Sequence, residues 1–558
     1  MAAAPTTRRL RLTLTMVLAA GGLNVFAFAP FGAWPLQILC AAFLFRLVMR
    51  ASGVREAALL GLMYSFAATS AGVYWLYISL HDIGGMPAWL TVLAIGLLAL
   101  GLGLLVGAAT GGARWLQRRW TCGSVVTLLL ILPALWMLAE WTRCWIFTGF
   151  PWLSSGYAHV GGPLAGYAAL IGVYGVGLIA AVIAALLALV ATALLGVARG
   201  STQAGIGTSA APGPGIRTSK LRRCAGPLLL GVLLLGAGQL LRGVDWTAPH
   251  GKPISVRLLQ GNVPQAMKFD QAQLSATLGL YDAMITAAPA DLIATPETAV
   301  PVIRQQLPPE YLQRLTDFAS ASKSLLLVGI PISDSPAQYS NALVVLPPAA
   351  VVPPAFPVPI AAVPATYRYE KHHLVPFGEF IPTGFRWFVD TMQMPLGDLS
   401  RGAALQAPFA VREQWVLPNI CYEDLFGEEI AAQILWQTAQ KLPAPTMMLN
   451  ISNIAWFGDS IALPQHLQIS RMRTLETGRP MLRATNTGAT AVIDPHGRIQ
   501  AQLAPFTRGT LAASVQGYDG LTPFIRIGNY GALLLAGLLV AAAAASASLT
   551  ARRRGQRR

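Results

Sequence analysis

Long runs of apolar residues fill roughly the first 240 positions of the chain and return once near its end. A helix needs about 17–25 mostly apolar residues to cross the hydrocarbon core of a bilayer. Each run is long enough, so the pattern predicts a polytopic α-helical membrane domain with about eight transmembrane helices. The predicted spans lie near residues 10–29, 33–49, 56–78, 88–110, 124–142, 166–197, 225–241 and 530–549.

The pattern changes between the seventh and eighth runs, where short apolar stretches alternate with amphipathic ones. Strands are predicted at 255–260, 291–295, 324–329, 341–346, 415–420, 446–450, 481–484 and 489–493. Helices are predicted at 271–287, 309–322, 426–438 and 463–477. This alternation is typical of a layered α/β domain. The predicted domains are therefore spans 1–7 at 1–241, the α/β domain at 242–528, and the eighth span with a short basic tail at 529–558.

The distribution of charge orients this arrangement. Charged residues make up only 11% of the chain, and the net charge is +16. The α/β domain is nearly neutral, with 20 Lys and Arg against 21 Asp and Glu, and the other 20 basic residues fall mainly in alternate loops of the membrane part and in the tail. This pattern places both termini in the cytoplasm and the α/β domain on the extracytoplasmic side. A nucleic-acid partner is not expected for such a domain.

Polar residues with catalytic potential follow apolar segments of the α/β domain. Cys421, its only cysteine, comes directly after the predicted strand 415–420. Glu297 and Lys371 have a comparable placement, and Glu379 lies eight residues beyond Lys371. Taken singly, a lone cysteine is more often an inert core residue, and a lone lysine more often a surface charge. In an open α/β layer, however, groups at the same end of neighbouring strands converge on one crevice.

These four side chains form a chemically coherent set. A thiol at its ordinary pKa is mostly protonated, and only the thiolate attacks. Glu297 can serve as general base, while Lys371 can stabilise the thiolate and then the tetrahedral oxyanion. Glu379 can orient the lysine or assist the outgoing group. With Cys421 as the nucleophile, such a set performs acyl transfer through a thioester.

No metal or other cofactor is expected. His372 and His373 are adjacent in sequence and would face opposite sides of a strand. They lack the spacing of metal ligands.

Three loops on the predicted extracytoplasmic side are rich in Gly, Pro and aromatic residues. They connect successive spans at 28–35, 75–87 and 140–152. Aromatic residues at such positions often form only an interface belt. The clustering of three such loops on the side of the α/β domain, with ionisable groups near the boundary, favours a mouth for an amphiphile.

Several motifs resemble a known family. Thr-Pro-Glu297, the stretch 371–379 and Ile-Cys421-Tyr-Glu-Asp resemble the Glu–Lys–Cys triad of the nitrilase superfamily. Together with the membrane spans, the chain is similar to the apolipoprotein N-acyltransferase family over nearly its whole length. The other matching stretches are 145–157, 260–265, 394–402, 453–459 and 471–486. Two departures are Ile454, where the family usually has Asp, and the long proline-rich tract 347–364.

The resemblance implies a nitrilase-like αββα sandwich in the periplasm, attached to the bacterial inner membrane. It also implies a two-step reaction. Cys421 takes an acyl chain from a phospholipid, typically phosphatidylethanolamine, and passes it to the amine of the N-terminal diacylglyceryl-cysteine of an apolipoprotein. The candidate substrate-binding residues are Tyr422, Glu423, Trp456, Phe457, Trp145, Trp152 and His81.

Two alternatives remain open at this point. One is a membrane-tethered nitrilase-type amidase that hydrolyses a small amide, although seven spans before the domain exceed what an anchor requires. The other is a lipid transport or binding protein with an inactive nitrilase-like domain. The presence of Glu297, Lys371 and Cys421 together argues against the second.

Overall fold

The computed structural model describes residues 5–201, 214–265, 271–335, 338–346, 367–382, 384, 386 and 399–555. The proline-rich tract 347–364 and most of the matching stretch 394–402 lie outside the described residues. The chain forms two compact units. The first comprises the described residues up to Tyr74, then Val92–Val244, and those from Asn529 onward. The second comprises Trp75–Thr91 and Asp245–Gly528.

The long secondary-structure elements of the first unit, in the part of the chain that the structure describes, are α-helices. Its main helices are Pro5–Leu23, Pro35–Arg50, Val54–Gly72, Ala88–Arg119, Ser124–Thr142, Ala168–Ser201, Pro214–Leu241 and Tyr530–Gly555. The first turn of Ala88–Arg119 belongs to the second unit. A helix is therefore present at each of the predicted spans.

Six helical segments in the described part of the chain are long and apolar enough to cross a membrane. They are Arg8–Ala27, Ala88–Arg119, Ser124–Thr142, Pro163–Leu195, Cys224–Leu241 and Tyr530–Thr550. The helices at two predicted spans are less suited to crossing a membrane on their own. Pro35–Arg50 has 16 residues, about 24 Å of helix. Val54–Gly72 has 19 residues but begins with Arg55 and Glu56, which lower its mean hydropathy.

The third predicted span ends earlier than expected. The apolar run suggests a helix to residue 78, whereas the observed helix ends at Gly72. Residues Trp75–Thr91 group with the second unit, and Ile78–Ile83 form a π-helical turn there. Hydropathy alone does not reveal this, because residues that pack on another protein surface are as apolar as residues that face lipid.

The second unit is built on two sheets, numbered here in chain order. The described strands are β1 Ala248–Gln260, β2 Leu292–Ala294, β3 Leu325–Ser335, β4 Gln338–Leu346, β5 Arg368–Glu370, β6 Phe409–Val411, β7 Gln414–Ile420, β8 Met447–Ser452, β9 Met481–Thr485, β10 Ala491–Ile493, β11 Ile499–Gln502 and β12 Gly509–Asp519. Among these strands, one sheet has the order β12-β1-β2-β3-β4-β5 and the other β11-β10-β9-β8-β7-β6. The centres β1-β2-β3 and β7-β8-β9 are parallel, and the outer pairings are antiparallel.

The two sheets pack face to face, with helices on their outer sides. Successive side chains of a strand point to opposite faces. In β8, Met447 and Leu449 lie in the cluster shared by both sheets, whereas Met448 lies in a cluster with residues of the helices Gly427–Ala439 and Ala462–Thr477. The helices Gln271–Thr286 and Pro309–Ser322 cover the other sheet in the same way. This arrangement is the αββα sandwich that the resemblance implies.

Most elements of this unit were predictable. The predicted helix 309–322 coincides with Pro309–Ser322, two others differ by one residue at one end, and the predicted helix 426–438 is displaced by one residue from Gly427–Ala439. The strands that the pattern misses are β5, β6, β11 and β12. β5 and β6 have three residues each, too few to establish a period. β12 is largely half-buried or exposed, so its apolar alternation is weak.

Candidate active site

The proposed catalytic residues lie where strands of the two sheets end. Glu297 follows β2 after Thr295 and Pro296, and Lys371 directly follows β5 in the same sheet. Cys421 directly follows β7 in the other sheet. The sandwich therefore brings together groups that are far apart in sequence, as the strand-end argument predicts.

A buried charge cluster occupies this site. The Lys371 ammonium is 1% exposed and donates hydrogen bonds to Glu379 Oε1 at 2.8 Å and to Glu297 Oε1 at 3.3 Å. Asn341, on β4, donates through Nδ2 to the same two oxygens, at 2.7 Å to Glu297 and 2.9 Å to Glu379. One amide group and one ammonium thus hold the two carboxylates in a fixed relation.

The second oxygen of Glu297 is fixed from the other sheet. The backbone N–H of Asn453, one residue after β8, donates to Oε2 at 2.8 Å. The side chain of Asn453 donates to Gln265 Oε1 at 2.7 Å and accepts from Asn486 at 3.1 Å. Glu297 is consequently held in one orientation by donors from both sheets.

The electrostatic environment raises the pKa of both the lysine and the cysteine, which favours the charged form of Lys371 and the neutral form of Cys421. Burial lowers the pKa of Lys371, but the carboxylates of Glu297 and Glu379 outweigh burial and raise that pKa, so the side chain is an ammonium. Burial and then the Glu297 carboxylate raise the pKa of the Cys421 thiol to about 12, although Lys371 and Ser452 lower it. At neutral pH the resting cysteine is therefore a thiol, and its proton has to be removed as it attacks.

Glu423 braces the turn Cys421–Leu425. It is 4% exposed, and Oε2 accepts from the backbone N–H of Ile420 at 2.6 Å and from the Tyr369 hydroxyl at 3.0 Å. Oε1 accepts from the backbone N–H of His372 at 2.7 Å. These bonds connect the turn at Cys421 to the segment that carries Lys371.

The remaining predicted residues near Cys421 pack in its surroundings. Tyr422 is buried, and its ring lies 5.5 Å from that of Phe426 and 5.8 Å from that of His373. His373 Nδ1 lies 2.8 Å from Glu429 Oε1, and His372 Nδ1 lies 2.8 Å from a backbone carbonyl oxygen.

Trp456 and Phe457 are half-buried in the turn Ile454–Phe457, which follows Asn453. The side chain of Ile454 is 1% exposed and packs in an apolar cluster with Leu463. An apolar residue is therefore well accommodated where the family usually has Asp.

Trp75 packs against this turn and was not among the predicted site residues. Its ring is 1% exposed and lies 4.4 Å from that of Phe457, and its Nε1 donates to Gln465 Oε1 at 3.2 Å. Gly458, which ends the turn with a φ of +55°, leaves room for Ile78. Residues of the segment Trp75–Thr91 thereby support the turn Ile454–Phe457. Asn453, directly before this turn, holds Glu297 through its backbone N–H.

His81 lies in the same segment but faces its own backbone. Its Nδ1 is 2.6 Å from the carbonyl oxygen of Met86, and its ring lies 4.9 Å from that of Tyr77. Trp145 and Trp152 belong to the first unit, where Trp145 is 60% exposed and Trp152 is buried.

Asn341 and Trp75 are the main contributors that sequence reasoning missed. Asn341 begins the predicted strand 341–346, and a buried Asn at the start of a strand is a weak signal that the site lies at this end. Trp75 lies in the predicted loop 75–87, which was interpreted as part of a mouth for an amphiphile, and the sequence of such a loop does not reveal that this aromatic side chain is buried.

The two-sheet sandwich and its Glu–Lys–Cys arrangement define a carbon-nitrogen hydrolase, or nitrilase-type, domain. The family model for carbon-nitrogen hydrolases matches residues 255–519. A second family model, the apolipoprotein N-acyltransferase N-terminal domain, matches residues 20–186. Among solved structures, Saccharomyces cerevisiae Nit3, a member of branch 10 of the nitrilase superfamily, covers 50% of this chain and 92% of its own at 17% identity, with a TM-score of 0.34. That score is too low to add to the assignment.

Relatives that match nearly the whole chain narrow the assignment to one family. The apolipoprotein N-acyltransferase of Ralstonia nicotianae is 48% identical over 96% of this chain and 94% of its own. Those of Bordetella bronchiseptica and Nitrosomonas europaea are each 40% identical over 95% of this chain, and over 96% and 97% of their own. The chain belongs to the apolipoprotein N-acyltransferase family.

The amide of Asn341 provides a first test of the charge cluster. We expect Asn341→Leu to slow Cys421-dependent acyl transfer by roughly 10²-fold or more, because each hydrogen bond to a charged group contributes about 1.5–3 kcal/mol and two are lost here. Initial rates with purified protein in detergent would measure the change. Ser340→Ala, at the adjacent position of β4, is the matched control and should keep the wild-type rate. Wild-type activity in Asn341→Leu would contradict the proposed role of this amide.

The packing of Trp75 provides a second test. Trp75→Phe keeps the aromatic contact with Phe457 and loses one neutral hydrogen bond, worth about 0.5–1.5 kcal/mol, so acyl transfer should fall at most roughly tenfold. Trp75→Ala removes both and should reduce the rate further. Trp89→Ala, in the same segment but 70% exposed, is the control. The coupling to the site is refuted if folded Trp75→Ala and Trp89→Ala proteins transfer acyl chains equally fast.

Proposed function

We propose that this protein transfers a fatty acyl chain from a phospholipid, through a thioester on Cys421, to the N-terminal diacylglyceryl-cysteine amine of apolipoproteins. The observation that carries the proposal is the buried Glu297–Lys371–Glu379 cluster at the strand ends beside Cys421. Its occurrence in one chain with long apolar helices favours lipid substrates. Membership of a family whose relatives bear the name apolipoprotein N-acyltransferase supports both.

The first step forms the acyl-enzyme. Glu297 takes the proton of the Cys421 thiol as the sulfur attacks the ester carbonyl carbon of the phospholipid. Negative charge develops on the carbonyl oxygen, and the Lys371 ammonium stabilises it. When the tetrahedral intermediate collapses, the carbon–oxygen ester bond breaks and Glu297 returns the proton to the leaving alkoxide. A lysophospholipid leaves, and the acyl chain remains on sulfur.

The second step uses the same groups in reverse order. The uncharged amine of the acceptor attacks the thioester carbonyl, and Lys371 again stabilises the oxyanion. Glu297 accepts a proton from the attacking nitrogen and delivers it to the sulfur as the carbon–sulfur bond breaks. An amide is formed and the Cys421 thiol is restored. Glu379 and Asn341 keep Lys371 and Glu297 in place throughout.

Anchored substrates suit this chemistry. Holding both lipids in the membrane that also holds the enzyme converts chance collisions into an oriented encounter. A dry apolar approach also protects the thioester from water, the competing nucleophile. We assign Trp456 and Phe457, together with Trp145, Trp152 and His81, to contacts with the lipid substrates. Tyr422 and Glu423 are assigned to the walls of the acyl site and the bracing of its turn. Phosphatidylethanolamine is the donor we propose.

We also propose the orientation in the bacterial inner membrane. Eight helices would cross it, with both termini in the cytoplasm and the catalytic unit in the periplasm. The support is the concentration of basic residues in alternate loops. The helices Pro35–Arg50 and Val54–Gly72 would cross as partners of the more apolar ones, because they contact each other and Pro35–Arg50 also packs on Ala168–Ser201.

The acyl-enzyme is directly observable by intact-mass analysis. After incubation with phosphatidylethanolamine of defined chain length, the wild-type protein should gain the mass of one acyl group, and neutral hydroxylamine should remove it. Cys421→Ala should remain membrane-inserted and gain nothing. An absent gain in the wild type, or an equal gain in Cys421→Ala, would refute the thioester. Turnover of a water-soluble amide without lipid would favour the amidase.

The orientation is tested by reporter fusions. Alkaline phosphatase inserted near Ser335 should be active, because this reporter folds only in the periplasm. The same reporter inserted in the loop between the sixth and seventh predicted spans should be inactive. The opposite pattern in intact cells would overturn the proposed topology.

A further inference from the structure

Three of the stretches that match the family meet at one buried side chain. Asn486, directly after β9, ends the stretch 471–486 and is 1% exposed. Its amide contacts residues of the two other stretches, 260–265 and 453–459. The mechanism proposed above assigns no role to Asn486.

The Asn486 amide binds the backbone of Val263 at two points. The Val263 N–H donates to Oδ1 at 3.0 Å, and Nδ2 donates to the Val263 carbonyl oxygen at 2.7 Å. The backbone N–H of Asn262 also donates to the Asn486 carbonyl oxygen at 2.8 Å. Because Val263 follows β1 and Asn486 follows β9, these bonds join strand ends of the two different sheets.

The same amide group also contacts Asn453. Nδ2 of Asn486 donates a second hydrogen bond to Asn453 Oδ1 at 3.1 Å, and Asn453 Nδ2 donates to Gln265 Oε1 at 2.7 Å. All three side chains are buried. A backbone N–H can only donate, so the oxygen of the Asn486 amide must face the Val263 N–H, and its nitrogen must face the two acceptors. An aliphatic side chain at this position can make none of these bonds.

Asn453 carries the N–H that holds the proposed base. That N–H donates to Glu297 Oε2 at 2.8 Å. The position of this main-chain donor depends on where Asn453 lies, and the Asn453 side chain is fixed at both of its polar atoms, by Asn486 and by Gln265. The direction in which Oε2 points therefore depends on contacts made outside the buried charge cluster.

We infer that Asn486 is a positioning residue for Glu297. It fixes Asn453 through a side-chain hydrogen bond, and the backbone N–H of Asn453 then holds the carboxylate in the orientation that proton transfer from Cys421 requires. The inference rests on the proposed function, in which Glu297 is the general base. It adds to that function a link from the segment after β1 to the base.

Replacing the Asn486 amide tests this link. Asn486→Leu has the same branching at Cγ and removes both the donor and the acceptor. We expect kcat for acyl transfer to fall about tenfold or more, because small displacements of reacting groups cost up to roughly 10²-fold. KM for phospholipid should stay unchanged, because the buried Asn486 acts through Glu297.

The adjacent position supplies a matched control. Thr487 is 4% exposed, and its hydroxyl has no hydrogen-bond partner among the described residues. Thr487→Val changes a buried polar side chain in the same segment without removing a contact to Asn453 or Val263. This variant should keep the wild-type kcat.

A double-mutant comparison distinguishes positioning from a general loss of packing. Asn453→Leu removes the next side chain of the same path and keeps the backbone N–H, so it should also lower kcat. The variant with both substitutions should be no slower than the slower single variant, because both changes interrupt the same path. Two independent packing defects would instead slow the enzyme by the product of the two single effects.

Each outcome supports or overturns a stated claim. Wild-type kcat in Asn486→Leu, a raised KM with unchanged kcat, or a double variant slowed by the product of the single effects would overturn the inference. If Asn486→Leu does not accumulate as folded protein, Gln265→Met removes the other contact that fixes Asn453 and should lower kcat with KM unchanged; an unchanged kcat there would overturn it. Absence of an acyl-enzyme in the wild type would instead refute the proposed function.

Discussion

The site depends on one buried ammonium placed between two carboxylates. Lys371 is 1% exposed, and such a charge is tolerated only because Glu297 and Glu379 pair with it and Asn341 bonds both. Unpaired, an ion at this depth would cost several kcal/mol. Asn341 lies on β4, Glu297 follows β2, and both Lys371 and Glu379 follow β5. The cluster therefore forms only when these strands of the sheet are in place. The arrangement of the cluster therefore depends on the correct folding of this sheet.

The two sheets contribute different parts of the proposed catalytic arrangement. One sheet carries Glu297, the proposed base, with the Lys371 ammonium and their amide partner. The other carries Cys421, the proposed nucleophile, and the Asn453 N–H that holds Glu297. Burial and the Glu297 carboxylate raise the pKa of the Cys421 thiol, so in the proposed mechanism the sulfur stays protonated until Glu297 takes its proton during attack on an acyl donor. Protonation would protect the thiol from oxidation, because the proposed topology places Cys421 on the oxidising side of the membrane.

Sequence patterns predicted a large share of this structure, for identifiable reasons. Buried parallel strands are continuous apolar runs, so β2 and β7 and the polar residues after them were visible, and with them Glu297 and Cys421. Lys371 was found through its motif, because β5 before it is too short to show a period. Asn341 and Trp75 were missed because their roles arise from contacts with residues distant in sequence.

The central claim is that one thioester connects two lipid substrates, and a chase experiment tests it most directly. Protein acylated with labelled phosphatidylethanolamine would be freed of excess donor and mixed with a synthetic diacylglyceryl-cysteine peptide. The account predicts that the label leaves the protein and appears in an amide at the peptide N-terminus, while a peptide with a blocked N-terminal amine leaves the acyl-enzyme intact. Release of the label as free fatty acid at the same rate with either peptide would contradict it.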